Sequence, residues 1–334
     1  MISRHHKTRF NLIDRKTSLV TSLSLSLLSC SLLAGEIKPV DTSPFGEDPS
    51  GIYKVTVEHD SDLATHTIYR PTDLLSTTEN NTYPVVVWGE GACEDAGLMF
   101  PEFLSEIASH GYIVIADGPP VRSKIRQPGQ TQNTASNTDT ATEKTETATP
   151  PRPRPTMSLK PDGTDLIAAL DWIENKNQER GHRFYQRANM KKVAAMGMSC
   201  GGLMSYGASS DPRITTVGIW NSGLLKADEK IYKDLHSSII IITGGESDIA
   251  YPNGQRDYEM LKDSKPIFYG YYPSVGHFGT YTEDNGGAFG NVAVSWLNWQ
   301  LKDDLSKTGQ QFLVGDNCPV CSNPQWITQS HHLK

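Results

Sequence analysis

Short apolar segments rich in β-branched residues alternate with amphipathic segments along most of this chain. The apolar kind includes "YPVVVWG" from Tyr83, "YIVIADG" from Tyr112, "KVAAMG" from Lys192 and "SIIIITG" from Ser238. The amphipathic kind includes "DGTDLIAALDWIENKN" and "GAFGNVAVSWLNWQLKDD". Near-continuous apolar strands are typical of a sheet covered on both faces, and strands that alternate with helices favour parallel pairing. We therefore predict one α/β domain over residues 36–334, with a mostly parallel central sheet and helices on both faces.

The first 35 residues predict an export signal. A basic start, "MISRHHKTRFNLIDRK", precedes a Ser/Leu-rich apolar stretch that is too short and too polar to span a membrane. "LLSC", which ends at Cys30, resembles a lipobox, whose cysteine would carry a lipid. Cleavage near Ala34 or Gly35 is the favoured alternative. We expect a secreted or extracytoplasmic protein that contacts a membrane only through a lipid anchor at Cys30, if it has one.

One internal stretch has a different composition. Residues at about 121–156 are rich in Thr, Asn, Gln and Pro and contain almost no large apolar side chains. Such a segment cannot bury enough apolar surface to offset the entropy lost on ordering. We predict a disordered insertion in a loop of the domain.

The net charge and the cysteine content limit the classes of partner and the redox compartment that we expect for this protein. The formal net charge of −7 argues against a nucleic-acid partner, which calls for a basic surface. Removing or lipidating Cys30 leaves an even number of cysteines, which suits an oxidising compartment and allows three pairings. "CPVC", formed by Cys318 and Cys321, has no second cysteine pair and no histidine cluster at ligand spacing. It therefore predicts a local disulfide, and no metal site is expected.

Ser199 lies in "GMSCG", residues 197–201, which fits the pattern G-x-S-x-G. A predicted strand precedes the motif and a predicted helix follows it. In that setting the sharp turn strains the serine and lifts its Oγ above the sheet. We predict that Ser199 is a nucleophile. The alternative is a tight turn that needs its glycines for packing alone.

A serine nucleophile needs a base, and the base needs a carboxylate to hold it. In this setting the partners are expected later in the chain, each after a strand. Glu246 and Asp248 follow the strand that begins at Ser238, and we favour Asp248 as the acid. His277 follows the next strand, "PIFYGYY", and is the candidate base.

The oxyanion formed by such an attack needs two backbone N–H donors. We expect one from Cys200, at the start of the helix, and one from Glu90, in the loop after the strand from Tyr83. Because these loops meet at the site, we hypothesise a disulfide between Cys93 and Cys200. The alternative for Cys200 is a small buried thiol.

These segments resemble the α/β-hydrolase superfamily, and more narrowly its secreted dienelactone-hydrolase-like, chlorophyllase-like and cutinase-like or polyester-hydrolase-like branch. The resemblance covers about residues 50–305 and is carried by "YPVVVWGEG", "GMSCGG", "ESDIAYP" and "VGHFGTY". It implies a triad and an oxyanion hole formed by the residues listed here: Ser199, Asp248, His277, Glu90 and Cys200. Trp220 and Asn221, after a central strand, are expected near the site as a substrate wall, with core packing as the alternative for Trp220.

The expected function is a serine hydrolase that cleaves carboxylic esters, of a small molecule or a polymer, through an acyl-enzyme. No cofactor is implied, since the triad and the oxyanion hole suffice. The insertion and the tail "FLVGDNCPVCSNPQW" depart from common members of the branch, so the substrate's identity does not carry over. A serine peptidase on the same fold and an inactive surface binding protein are the alternatives.

Overall fold

The structure is a computed structural model that describes residues 37–40, 48–74, 82–124 and 162–333. The predicted export signal and Cys30 lie outside these residues. So does the predicted insertion apart from residues 121–124. The described residues belong to one compact unit, Gly35–Lys334. In this part of the chain no helix has the length and apolar character needed to cross a bilayer.

The core of the fold is a ten-stranded sheet with the order β1-β2-β3-β5-β4-β6-β7-β8-β9-β10. The six strands from β5 to β9 in this order pair in parallel, whereas β1, β2, β3 and β10 join antiparallel. The strands are β1 (Ile37–Pro39), β2 (Val55–Asp60), β3 (His66–Pro71), β4 (Tyr83–Gly89), β5 (Ile113–Asp117), β6 (Ala188–Met198), β7 (Thr216–Trp220), β8 (Ser238–Thr243), β9 (Ile267–Tyr271) and β10 (Ile327–His331). The predicted mostly parallel α/β class is confirmed.

Helices cover both faces of the sheet. They are α1 (Pro101–Ser109), α2 (Thr164–Gln178), α3 (Cys200–Ala208), α4 (Glu229–Asp234), α5 (Tyr251–Leu261), α6 (Gly287–Lys302), α7 (Gln310–Leu313) and α8 (Pro319–Ser322). Side chains of α1 and α6 pack in one apolar core, and side chains of α2, α3 and α5 pack in a second core. Strand β4 supplies Val86 and Trp88 to the first and Val85 and Val87 to the second. This two-sided burial explains its unbroken apolar sequence.

The tail after α6 adds an edge to the sheet that the periodicity did not predict. Strand β10 pairs antiparallel with β9. Cys318 and Cys321, at the two ends of one turn of helix, lie at disulfide distance, with their Cα atoms 5.2 Å apart. Cys318 and Trp326 are buried in the first core. The predicted local disulfide is therefore present in the structure, and the tail belongs to the domain.

The segment before residues 125–161 and the segment after them both contact His66, on β3. His66 on β3 pairs with Asp117 at the end of β5. Its Nε2 lies 3.1 Å from the carbonyl oxygen of Asp165, in the first turn of α2. Residues 121–124, which we expected to be disordered, are hydrogen-bonded. The Leu98 N–H donates to the Val121 carbonyl, and the Lys124 N–H donates to the Glu94 carboxylate.

Candidate active site

Ser199 occupies a strained turn between β6 and α3. Its φ of 54° and ψ of −111° lie outside the regions that side chains ordinarily adopt. The glycines around it are required by close packing. A Cβ on Gly201 would lie 1.8 Å from the carbonyl oxygen of Gly89, and one on Gly197 would lie 2.3 Å from that of Gly201. The motif thus serves packing and also places the serine hydroxyl at the end of the strand.

The structure brings together the three side chains singled out as nucleophile, base and acid. The Ser199 Oγ lies 2.9 Å from the Nε2 of His277. The Nδ1 of His277 lies 2.6 Å from the Oδ1 of Asp248. Asp248 is in the loop after β8, and His277 is in a short turn after β9. Glu246, the other candidate acid, is exposed to solvent.

Asp248 is buried but remains a carboxylate. Burial alone would raise the pKa of this group, yet hydrogen bonds to its oxygens outweigh burial and hold the pKa below its usual value. The donors are His277, the backbone N–H groups of Gly244 and Ala250, and the amide of Asn221. Because the charged carboxylate accepts from Nδ1–H of His277, the Nε2 of the neutral ring is left to accept a proton from Ser199.

Asn221 holds the acid loop and the histidine loop together. It is fully buried, with a φ of 42°. Its Nδ2 donates to the Asp248 Oδ2 at 2.7 Å and to the Gly276 carbonyl at 3.0 Å, and its Oδ1 accepts from the Tyr281 hydroxyl at 2.5 Å. Both ends of the amide are therefore engaged within the protein. Asn221 therefore orients the acid and histidine loops, and it also lines the cavity at Ser199, where it was expected.

Trp220 packs in the core and does not line the cavity at Ser199. Its side chain is fully buried, with ring centroids 5.5 Å from Phe103 and 5.8 Å from Phe289. The core-packing alternative therefore describes it. Its backbone still serves the site, because the Trp220 carbonyl accepts a hydrogen bond from the Ser199 N–H at 2.8 Å.

A cavity of about 390 Å³ opens at Ser199, within the range of small-molecule sites. A larger cavity of about 500 Å³ lies near Ile52 and Glu102, but its described lining contains no histidine. None of the residues lining the Ser199 cavity is Asp, Glu, Lys or Arg. They are Ala92, Cys93, Ser199, Cys200, Leu203, Asn221, Ser222, Gly223, Leu225, Ile249, Ala250, Asn253 and His277.

Two backbone segments offer N–H donors beside Ser199. Cys200 is the first residue of α3, where an N–H has no intrahelical acceptor and the helix dipole is positive. The loop after β4 reaches the cavity through Ala92 and Cys93, whose φ angles are 54° and 49°. Glu90, the expected donor, is buried and does not line the cavity. Ala92 and Cys93 are the residues of this loop that line the cavity.

The Glu90 side chain belongs to the core. Its Oε2 accepts from the Trp88 indole N–H at 3.0 Å. Burial raises the pKa of this carboxyl well above its ordinary value. The hydrogen bond from Trp88 lowers the pKa, whereas the negative charge of Asp117 raises it further. The buried site therefore favours the neutral form of the Glu90 carboxyl.

Cys93 and Cys200 form the second cysteine pair at disulfide distance. Their Cα atoms are 5.2 Å apart, and the two residues are 107 positions apart in sequence. The pair joins the loop after β4 to the first residue of α3. The pairing that we hypothesised is present in the structure. It fixes two of the segments that face Ser199 relative to each other.

A serine hydroxyl, an imidazole and a buried carboxylate in one hydrogen-bonded chain, beside an uncharged cavity, suit acyl transfer. Within the described ranges no group of His, Cys, Asp and Glu side chains is arranged to hold a metal ion. No protein-family model matches the chain, and no curated protein is significantly similar to it. The function is therefore argued from the geometry of the site.

Proposed function

We propose that this protein is a serine esterase of the α/β-hydrolase fold that cleaves carboxylic esters through an acyl-enzyme. The observation that carries the proposal is the hydrogen-bonded chain from Ser199 through His277 to Asp248. The order of these residues supports it, since nucleophile, acid and base follow β6, β8 and β9 in turn. The strand, turn and helix around Ser199 are the context that its motif requires.

In the first half of the reaction the Ser199 Oγ attacks the ester carbonyl carbon while the His277 Nε2 takes the hydroxyl proton. The carbonyl oxygen becomes an oxyanion that accepts from the Cys200 N–H and from the loop at Ala92 and Cys93. When the tetrahedral intermediate collapses, the carbon–oxygen bond to the alcohol breaks. His277 returns its proton to the leaving alkoxide, which departs as the alcohol.

In the second half a water molecule replaces the alcohol. His277 takes a proton from this water as its oxygen attacks the acyl carbon, and the same donors hold the second oxyanion. Collapse breaks the bond to Ser199, whose Oγ regains the proton from His277, and the carboxylic acid leaves. Asp248 stays charged throughout and stabilises the imidazolium in both halves.

We further propose that the enzyme acts outside the cytoplasm, as a secreted or lipid-anchored protein. Two cysteine pairs at disulfide distance support an oxidising compartment. The start of the chain, which resembles an export signal, supports the same location. An extracellular ester, either a small molecule or a polymer, is the corresponding substrate.

Hydrolysis of p-nitrophenyl acetate by the purified mature chain tests the proposal. We expect Ser199→Ala to lower kcat by at least about 10³-fold, since removing a serine nucleophile leaves only binding and oxyanion contributions. Ser210→Ala is the matched control, because Ser210 is exposed just beyond α3. A fluorophosphonate probe should add one covalent group at Ser199 by mass. Turnover that survives Ser199→Ala would refute the proposal, and so would wild-type protein that neither turns over nor reacts with the probe.

A further inference from the structure

Two large apolar side chains border the Ser199 cavity without being packed. Leu225 is 74% exposed and Ile249 is 78% exposed. In the described ranges seven large hydrophobic side chains are at least 43% exposed, and two of the three most exposed line this one cavity. Single exposed leucines are common, but a pair at the rim of a cavity that holds a nucleophile indicates a contact surface.

The backbone that carries Leu225 is held firmly. The N–H of Leu224 donates to the Asp257 Oδ2 at 2.6 Å, and the Tyr232 hydroxyl donates to the Asp257 Oδ1 at 2.7 Å. Asp257 is fully buried in α5. Gly223 lies so close to Asn253 that a Cβ would fall 2.5 Å from the Asn253 carbonyl carbon. The exposed position of Leu225 is therefore set by its neighbours.

The backbone that carries Ile249 is also held by a hydrogen bond to a buried carboxylate, here that of Asp248. Ile249 stands between Asp248 and Ala250, and the Ala250 N–H donates to the Asp248 Oδ1 at 2.9 Å. The segment that orients the His277 ring thus also presents Ile249 to the cavity. We call Leu225 and Ile249 the rim residues. A ligand group that covers both removes apolar surface from water, and the backbone does not have to rearrange to allow it.

The rest of the lining defines the chemistry of that group. Leu203, Ala92 and Ala250 add apolar surface, whereas Ser222 and Asn253 add neutral polar atoms. No lining side chain carries a fixed charge that could pair with a carboxylate or an ammonium group. A charged substituent would lose its hydration there without compensation.

We propose that this cavity takes an uncharged, apolar chain of the ester between Leu225 and Ile249, so that these two residues determine specificity. The inference rests on the proposed esterase function. Covering about half of one such side chain contributes roughly a factor of ten to kcat/KM. A two-carbon acyl group is too short to cover the rim and gains little from it.

The test measures kcat/KM for two series of esters. One series is p-nitrophenyl acetate, butyrate, valerate and octanoate, and the other is the matching alkyl acetates. The variants are Leu225→Asn and Ile249→Asn, with Leu305→Asn and Ile52→Asn as controls of the same residue types. Leu305 and Ile52 are 58% and 90% exposed and do not line this cavity. All four changes replace exposed side chains, so that folding is not at issue.

We expect each rim variant to lower kcat/KM for the longest ester by about tenfold in at least one series. The loss on p-nitrophenyl acetate should be clearly smaller than the loss on the longest ester, and both control variants should behave as wild type on every ester. Wild type should also prefer p-nitrophenyl valerate to p-nitrophenyl hydrogen glutarate, which has a terminal carboxylate, by at least about tenfold.

The inference is overturned if chain-length dependence in both series is the same in wild type and in the rim variants. It is also overturned if the carboxylate ester is preferred. In either case the esterase proposal stands as long as Ser199→Ala abolishes acetate hydrolysis. If wild type hydrolyses no ester of either series, this inference fails, and the esterase proposal fails with it when the fluorophosphonate probe also leaves Ser199 unlabelled.

Discussion

Removing the bridge between Cys93 and Cys200 should destabilise the fold far more than removing the bridge between Cys318 and Cys321. The perturbation is a pair of double variants, Cys93→Ala/Cys200→Ala and Cys318→Ala/Cys321→Ala. The two bridges have the same Cα separation of 5.2 Å, but they close stretches of 107 and 3 positions. They therefore differ chiefly in how strongly each one restricts the unfolded chain.

The chain-entropy relation gives the magnitude. At 25 °C it assigns about 4.8 kcal/mol to a bridge that spans 107 positions and about 1.6 kcal/mol to one that spans 3, a difference of about 3 kcal/mol. Each double variant also removes one buried sulfur, from Cys200 or Cys318. The loss of packing is therefore similar on both sides and largely cancels in the comparison.

The assay is equilibrium unfolding in urea, followed by tryptophan fluorescence, without reductant. The m value is compared among wild type and the two variants, because a bridge-free unfolded state that exposes more surface raises it. Equal losses of unfolding free energy in the two double variants would refute the reasoning. A larger loss of unfolding free energy in the Cys318→Ala/Cys321→Ala variant would refute it too. That result would mean that the bridges stabilise the protein mainly through contacts in the folded state.

Three further predictions concern single side chains. Asp248→Asn should lower kcat by about 10⁴-fold, because an amide favours the wrong tautomer of the histidine, and a wild-type rate with unchanged circular dichroism would contradict this role. Tyr281→Phe leaves the buried Oδ1 of Asn221 unpaired and should cost about 1–3 kcal/mol of unfolding free energy. It should lower kcat more than it changes KM, and the reverse pattern would argue against positioning. Burial raises the pKa of the Asp117 carboxyl to about 7, and the negative charge of Asp165 adds to this shift. Between about pH 4 and 7 the folded state therefore binds more protons than the unfolded state. This group should therefore lower the unfolding free energy of wild type as the pH rises from about 4 to 7. Urea titrations at several pH values should show a shallower dependence of unfolding free energy on pH for Asp117→Asn, and an unchanged dependence would contradict the prediction.

The sheet and the position of the nucleophile were predictable because their signals are local. A strand buried on both faces, such as β4, needs an unbroken apolar run. The turn at Ser199 needs small residues where β4, β6 and α3 meet. Asp248 and His277 could be selected because polar residues that directly follow parallel strands reach the same edge of the sheet.

The details of the loops depend on tertiary contacts that no local pattern records. Ala92 and Cys93 adopt positive φ angles without being glycines, so the path of the loop after β4 has no signature in the sequence. The orientation of the Asn221 amide depends on Tyr281, whose hydroxyl comes from a different loop. The edge strand β10 is short and half polar, which is why periodicity overlooked it.

His66 contacts Asp117, which precedes residues 125–161 in the chain, and Asp165, which follows them. These contacts hold the end of β5 and the start of α2 beside the same histidine. Cys93 precedes residues 125–161 in the chain, whereas Ser199 and Cys200 follow them. The bridge between Cys93 and Cys200 therefore joins the two parts of the domain a second time, directly beside the nucleophile.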